Sequence, residues 1–517
     1  MTPTRRTLLA GTGAALLASS TAQARTQGSD PVVQTSNGPV SGVVEGGIHR
    51  FLGVRYGADT GRARFRAPRR PDAWTETRPA VEYGAACPQR GSEPNTSEDC
   101  LFLNVWTPGL EEAARRPVMV YFHGGAYATG SGSHPLYDGT RLATRGDVVV
   151  ITVNHRLNAF GYLYLQRLLG PDFAQSGNAG QLDLILALQW VQENAARFGG
   201  DPDRVMVFGQ SGGGAKIASL MATPAAAGLF HRAASMSGQQ VTASGPANAT
   251  ARSRAYLAEL GLDDSHAASV LDMPAETLVE ALSAPDPVLP FGSVYFGPVK
   301  DDAVMMRHPF YPDAAPQSLH IPMIIGNTHD ETRAFLRGER YENISWDNLP
   351  DLLIPNMRVD IRPETVIARY RELYPERSPE EVFYTATTAA RSWRAAVIEA
   401  EERAKAGAPA YVYQMDWGNP YAPHTFDIPL AFDNTAVEGS LTGNSETARN
   451  MAALLSEAFI ALARTGTPQH TALPDWQPYT MENRETMVFD WPPRLENDPR
   501  GEERALFATV PYVQPGT

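Results

Sequence analysis

Residues 205–222 read VMVFGQSGGGAKIASLMA. A run of apolar, β-forming residues meets a glycine-rich bend, and residues suited to a helix follow. Strand, tight bend and helix serve two different ends: a loop of backbone N–H groups around a phosphate, or a turn that displays a serine. Spacing separates them. A phosphate loop needs G-x-x-x-x-G-K-[ST]. Gly209 and Gly214 have that separation, but Ala215 follows, Lys216 comes one place late, and Ile217 stands where Ser or Thr is required. The other template, G-x-S-x-G, is met by Gly209, Gln210, Ser211, Gly212 and Gly213. It sets the serine on a sharp strand-to-helix turn, its hydroxyl clear of the backbone at the top of a sheet. The flanking glycines are needed because a Cβ there would run into the neighbouring strand and helix.

The flanks carry the same alternation of strand and helix. RRPVMVYFHGG (residues 115–125) and GDVVVITVNHR (146–156) are continuous apolar runs that suit central strands buried on both faces. Leu182, Ile185, Leu186, Leu188, Trp190 and Val191 recur at helical spacing, and Gly199-Gly200 stops the helix. HIPMIIGN (320–327) and PAYVYQMDW (409–417) read as further strands. The first runs, broken at Asn37-Gly38 and Gly46-Gly47, have hairpin chemistry. Together they predict a large, mostly parallel sheet with helices on both faces. Helical insertions at 252–261 and 378–407 are expected to roof the site rather than join the sheet. No flexible linker divides the chain, so residues 25–517 are expected to form one unit.

Residues 1–24 read as an export signal. Arg5 and Arg6 precede a short apolar stretch that ends at Ala22-Gln23-Ala24, the pattern of a cleaved signal peptide with the paired arginines of the twin-arginine route. A soluble periplasmic or secreted protein, with no stable membrane association after cleavage, is the expectation. The 517-residue chain carries a net charge of −13 and is 43% hydrophobic. That supports a large core and argues against nucleic acid as a partner. A monomer or small homo-oligomer is expected. The two cysteines, Cys87 and Cys100, are expected to pair in an oxidising compartment, which on the chain-entropy model stabilises by roughly 3 kcal/mol for a loop of ~15 residues.

A serine hydroxyl becomes a nucleophile only when a base removes its proton. In α/β-hydrolases the chain order is serine, acid, histidine. Asp330 and Glu331 both follow the strand HIPMIIGN, and spacing leaves the choice between them open. Only His424 and His470 come later. His424 lies in a proline-bounded loop shortly after the strand PAYVYQMDW, so it can reach a strand-end site; His470 follows a helix and is expected at the surface. The oxyanion of acyl transfer needs preorganised N–H donors. FHGGAYATGSG (122–132) offers Gly124 and Gly125, and Gly212 follows the serine. Tyr127, Phe296 and Phe432 are candidates for lining the pocket.

These motifs resemble the type-B carboxylesterases, the family of cholinesterases and bacterial p-nitrobenzyl esterases. The resemblance runs over nearly the whole chain after the signal. It is carried by FLGVRYG with ARFRAP and Trp74, by SEDCLFLNVWTP (97–108), by NHRLNAFGYL, and by the segment from GNAGQLDL into GQSGGG. It implies an α/β-hydrolase fold and hydrolysis of small-molecule esters through an acyl-enzyme, with no cofactor or metal. It implies Ser211 as nucleophile, Glu331 rather than Asp330 as acid, His424 as base, an oxyanion hole at Gly124, Gly125 and Gly212, and a Cys87–Cys100 disulfide. Ser237, in ASMSG, resembles a region that supports the site from behind. The sequence departs from the family at Gln210, where glutamate is common, at Gly212, where alanine is, and at Thr332, where glycine is. Lys300-Asp301-Asp302 replaces a usual Asp-Gly after Pro-Val. Thioester, carbamate or amide hydrolysis would use the same residues, and a binding protein on this fold would lack the serine.

Overall fold

Alternate residues along the central strands divide between two cores. Val118, Val120 and Phe122 face one side, with Val149, Ile151, Val205 and Val207. Met119 and Tyr121 face the other, with Val150, Met206 and Phe208. All are buried. That is the period-2 signature of strands covered on both faces, and each such side chain contributes about 1.5–3 kcal/mol by leaving water.

The computed structural model describes residues 30–289, 292–418 and 420–517; the expected signal, residues 1–24, lies outside them. Strands β1 (Val32–Gln34) and β2 (Pro39–Ser41) form a hairpin, and β3 (Val43–Glu45) and β4 (Ile48–Arg55) form a second. Gly46 and Gly47 turn the second at φ +59° and +85°, a region that favours glycine. A short β5 (Arg78–Pro79) pairs with β2. There follow β6 (Phe102–Thr107), β7 (Arg116–Phe122), β8 (Val149–Val153), β9 (Gly200–Gln210) and β10 (Arg232–Met236). The last four are β11 (Met323–Thr328), β12 (Ala410–Met415), β13 (Glu485–Phe489) and β14 (Arg494–Asn497).

Eleven of these strands make one sheet in the order β14-β13-β12-β11-β10-β9-β7-β8-β6-β4-β3. From β8 through β13 all neighbours run parallel, and the outer pairs are antiparallel. The helices Ala179–Asn194, Gly212–Met221 and Arg394–Lys405 cover one face through Leu188, Ile217 and Ala400. Thr140–Gly146 and Glu446–Thr465 cover the other through Leu142, Leu455 and Phe459.

Residues 378–407 correct the sequence expectation in part. Helix Pro379–Thr388, started by a Ser378–Glu381 capping box, belongs to a separate helical core with Leu353, Tyr370 and Phe507. One π-helical turn, Ala389–Trp393, then redirects the chain, and Arg394–Lys405 packs on β11 and β12. The second half is therefore a sheet-covering helix. Its alternation of Ala and Glu hides an alanine face that fits flat against the strands. Strand β10 carries no clear sequence signal, because RAASM is short and weakly apolar.

Candidate active site

A parallel sheet brings all its carboxyl ends to one edge, where open α/β sheets bind ligands. Four strands deliver the expected residues there. Phe122 ends β7 before Gly124 and Gly125; Gln210 ends β9 before Ser211; Thr328 ends β11 before Glu331; Met415 ends β12 before the loop with His424. Backbone bonds tie these ends together: Ser211 N–H donates to Met236 O at 2.8 Å, Ser237 N–H to Gly326 O at 2.7 Å, and Asp330 N–H to Ala422 O at 3.0 Å.

Ser211 sits at φ +56°, ψ −125°, between β9 and the helix that begins at Gly212. A residue with a side chain at positive φ is strained, and such strain concentrates at functional sites. The glycines answer for the close packing. A Cβ on Gly213 would fall 1.9 Å from Phe122 O, and one on Gly212 would fall 2.1 Å from Ala126 O. The sharp turn thus brings the helix start directly under the β7 loop.

His424 Nδ1 is hydrogen-bonded to Glu331 Oε2, and both side chains are buried. The other Glu331 oxygen accepts from Thr328 N–H at 2.9 Å and from Asn327 Nδ2 at 3.4 Å. Burial pushes the Glu331 carboxyl up, but the His424 charge and hydrogen bonds from His424 and Thr328, with the Ser237 hydroxyl alongside, outweigh it and hold it below its ordinary value. Ser237, at φ +52°, lies against that carboxylate without a well-formed hydrogen bond of its own. Asp330 turns away: it faces His329 at 3.3 Å and Arg333 at 3.8 Å. Of the two acids, Glu331 is the one that reaches the His424 ring.

Nδ1 faces the carboxylate and so carries the ring proton, which leaves Nε2 as the acceptor. That atom meets Gln210 Nε2 at 3.1 Å. Among the described residues no hydrogen bond joins Ser211 to His424; the amide of the preceding residue occupies the basic nitrogen instead. Nothing in the sequence signals this contact beyond the Gln210 departure itself.

Gly124 and Gly125 border the same cavity as Ser211, Gly212 and His424, whose volume is about 630 Å³. Gly125 has φ +82° and accepts from Ala128 and Thr129 N–H at 3.1 and 3.0 Å, which closes the loop behind it. The N–H of Gly212 opens a helix and is one of its unpaired donors. Buried Lys216, on that helix, donates to His123 O at 2.9 Å and so braces the residue before Gly124; burial brings its amine down to about 7.

Several expectations fail here. Tyr127 is fully buried against Gln240 and Ser219, Phe432 packs on Tyr121 and Phe208, and Phe296 faces a neighbouring cleft. The aromatic walls of the cavity are Tyr137, Tyr295, Phe335 and Tyr512. Insertions far apart in sequence supply the last three, and no local pattern marks them. His470 is half-buried, bonded to Leu454 O at 3.0 Å, and stands apart from the site. The expected disulfide is not formed: Cys87 and Cys100 are buried free thiols. Cys87 Sγ instead accepts Leu157 N–H at 3.2 Å, and hydrogen bonding to Cys87 with burial pushes the Cys100 thiol up.

Two departures from the family pattern also find their reasons. Asp301 accepts from the N–H groups of Ala303, Val304 and Met305 and from Asn178, while Asp302 takes φ +60°, the conformation a glycine would favour. Thr332 binds Tyr384 O and the hydroxyls of Thr387 and Thr388, fastening the acid's loop to helix Pro379–Thr388.

A strained serine, a buried imidazole–carboxylate pair and a glycine loop at one strand edge are the parts of acyl-transfer chemistry, and comparison with known proteins gives them a family. The model described as "Carboxylesterase family" matches residues 29–507. The chain belongs to the carboxylesterase family. It is 34% identical over 496 residues to the para-nitrobenzyl esterase of Bacillus subtilis (strain 168), covering 92% of this chain and 97% of that one. It is 33% identical to a phenmedipham hydrolase of Pseudarthrobacter oxydans, covering 89% and 94%. Among solved structures it resembles a Geobacillus stearothermophilus carboxylesterase with a TM-score of 0.84 and 36% identity, over 92% of this chain and 99% of that one. This carboxylesterase has the α/β-hydrolase fold and is a serine-type hydrolase of carboxylic esters.

Proposed function

We propose that Ser211 attacks the ester carbonyl while His424 takes its proton. Glu331 fixes the imidazole tautomer and steadies the imidazolium that forms. Gly124, Gly125 and Gly212 N–H groups receive the developing oxyanion. His424 then protonates the departing alcohol, and a water activated by the same ring releases the acid from Ser211. The observation that carries the reading is that His424, paired to the buried Glu331, borders one cavity with the positive-φ serine. For His424 to act on Ser211, Nε2 must exchange the Gln210 amide for the serine hydroxyl, and such contacts tighten when substrate binds. Ser211→Ala tests the assignment: kcat for a p-nitrobenzyl ester is expected to fall by about 10⁴–10⁶-fold. Unchanged turnover would contradict it.

Export by the twin-arginine route also belongs to this reading and rests on residues 5–24 alone. The N-terminus of the exported protein, read by mass spectrometry, is expected at Arg25. Recovery of an intact Met1 terminus in the membrane fraction would overturn it.

A further inference from the structure

The wall of the Ser211 cavity holds two guanidinium groups with no direct ion-pair partner, the Glu331 carboxylate acting on Arg391 only from farther off. Arg358 and Arg391 both line it, alongside Ser211, Gly124 and His424. Every Asp and Glu of the chain lies among the described residues, and neither arginine pairs with one within 4.0 Å. Neither side chain donates a hydrogen bond among the described residues, and Arg358 Nε is buried with no partner at all. The fully buried Arg156 and Arg252 each hold a carboxylate, Asp183 at 2.6 Å and Asp286 at 2.9 Å, although Arg252 Nη2 is itself left without a partner.

Asp286 sharpens the contrast, since it is the one acid bordering this cavity. Its carboxylate is already committed to Arg252 and to the N–H groups of Val288, Leu289 and Tyr295. It has nothing left for the two free cations. One aromatic ring lies between Arg391 and His424: the guanidinium is 5.2 Å from the Phe335 ring, and that ring is 4.6 Å from the His424 ring. The π-helical turn at Ala389–Trp393 carries Arg391, and such turns recur at functional sites. Burial and then the neighbouring Arg358 charge bring Arg391 down to about 10, so it stays cationic at neutral pH. Burial keeps the phenols of Tyr295 and Tyr512, on the same wall, protonated and able to donate. An uncompensated cation in a protein wall is costly to fold around. Planar forks of this kind match a carboxylate.

We infer that the ester cleaved at Ser211 carries a free carboxylate elsewhere in the molecule, held by Arg358 and Arg391: a half-ester of a dicarboxylic acid. The inference rests on Ser211 being the nucleophile. Water adds across the ester bond in the ordinary way, and the second carboxylate is bound without being changed.

The test uses the full-length enzyme on monoethyl esters of the C4 to C8 dicarboxylic acids, each matched with the ethyl ester whose far end is a neutral primary amide. At the best chain length the anionic member is expected to show a kcat/KM roughly 10–100-fold higher, mainly through a lower KM. Arg358→Gln and Arg391→Gln should each reduce that anionic-to-neutral ratio by about 10-fold, and the lysine variants should restore part of it. A ratio near one in the unmodified enzyme would overturn the inference, as would glutamine variants that lower both substrates equally. Ser211→Ala separates the two failures. Activity surviving in Ser211→Ala overturns the nucleophile assignment. An inactive Ser211→Ala alongside a ratio near one overturns only the anion site.

Discussion

The strand-end edge and the wall facing it are built by different rules. At the edge, Gly209, Ser211, Gly212 and Gly213 are dictated by a few ångströms of backbone: a Cβ at Gly213 would meet Phe122 O at 1.9 Å. On the facing wall, Tyr295, Phe335, Arg358, Arg391 and Tyr512 come from separate segments and meet only in three dimensions. On the proposed reading the edge carries the chemistry, and the wall selects the ester that reaches it.

The strongest way to break that comparison is at the edge. Glu331→Gln removes the group that holds His424's tautomer, and kcat is expected to fall by about 10³–10⁴-fold. A loss under tenfold would move Glu331 out of the catalytic machinery. The same variant bears on stability. Because the folded carboxyl lies below its unfolded value, the ionised Glu331 adds stability above the unfolded value, and this is lost as pH falls through the folded one. Acid unfolding of Glu331→Gln should lack that share of the slope.

Packing gives the next largest effect. Gly213→Ala is expected to cost about 1–3 kcal/mol in urea unfolding, since backbone must move to admit the methyl. Gly245→Ala, where a Cβ would meet nothing within 4 Å, is the matched control and should stay within about 0.5 kcal/mol. Equal costs would show that the bend is not the tight element described. Gln210→Ala frees His424 Nε2 from the amide, and kcat/KM is expected to change by about 2–10-fold. An unchanged kcat/KM would mean that the Gln210–His424 contact at 3.1 Å does not persist in solution. The smallest expected effect concerns Cys87 and Cys100. Unfolding without reductant should expose two thiols to a chromogenic disulfide reagent, and added reductant should leave the unfolding midpoint unchanged. No reactive thiol would restore the disulfide.

Legibility follows the same division. The sheet was readable because buried parallel strands are continuous apolar runs, and the elbow because Gly209, Ser211 and Gly213 sit at fixed offsets. His424 followed from chain order, whereas Glu331 over Asp330 needed the resemblance, since adjacent carboxyls look alike until one is seen to face the ring. β10 was unread because RAASM carries little apolar signal. The aromatic candidates Tyr127, Phe296 and Phe432 failed for a related reason: an aromatic residue near a motif is as suited to core as to cavity. Arg358 and Arg391 had no local signature, for an unpaired cation is defined by carboxylates that fail to reach it. The expected compartment points to an oxidised Cys87–Cys100 pair, whereas Cys87 takes the N–H of Leu157 as a free thiol.

The central claim is that the serine on the positive-φ turn is the residue His424 activates. A fluorophosphonate adduct located by peptide mass spectrometry tests it most directly. The expected result is one phosphonyl group on Ser211, formed at least 100-fold more slowly in His424→Ala, as general-base catalysis requires. A label on any other residue, or labelling of Ser211 at the same rate without the imidazole, would contradict it.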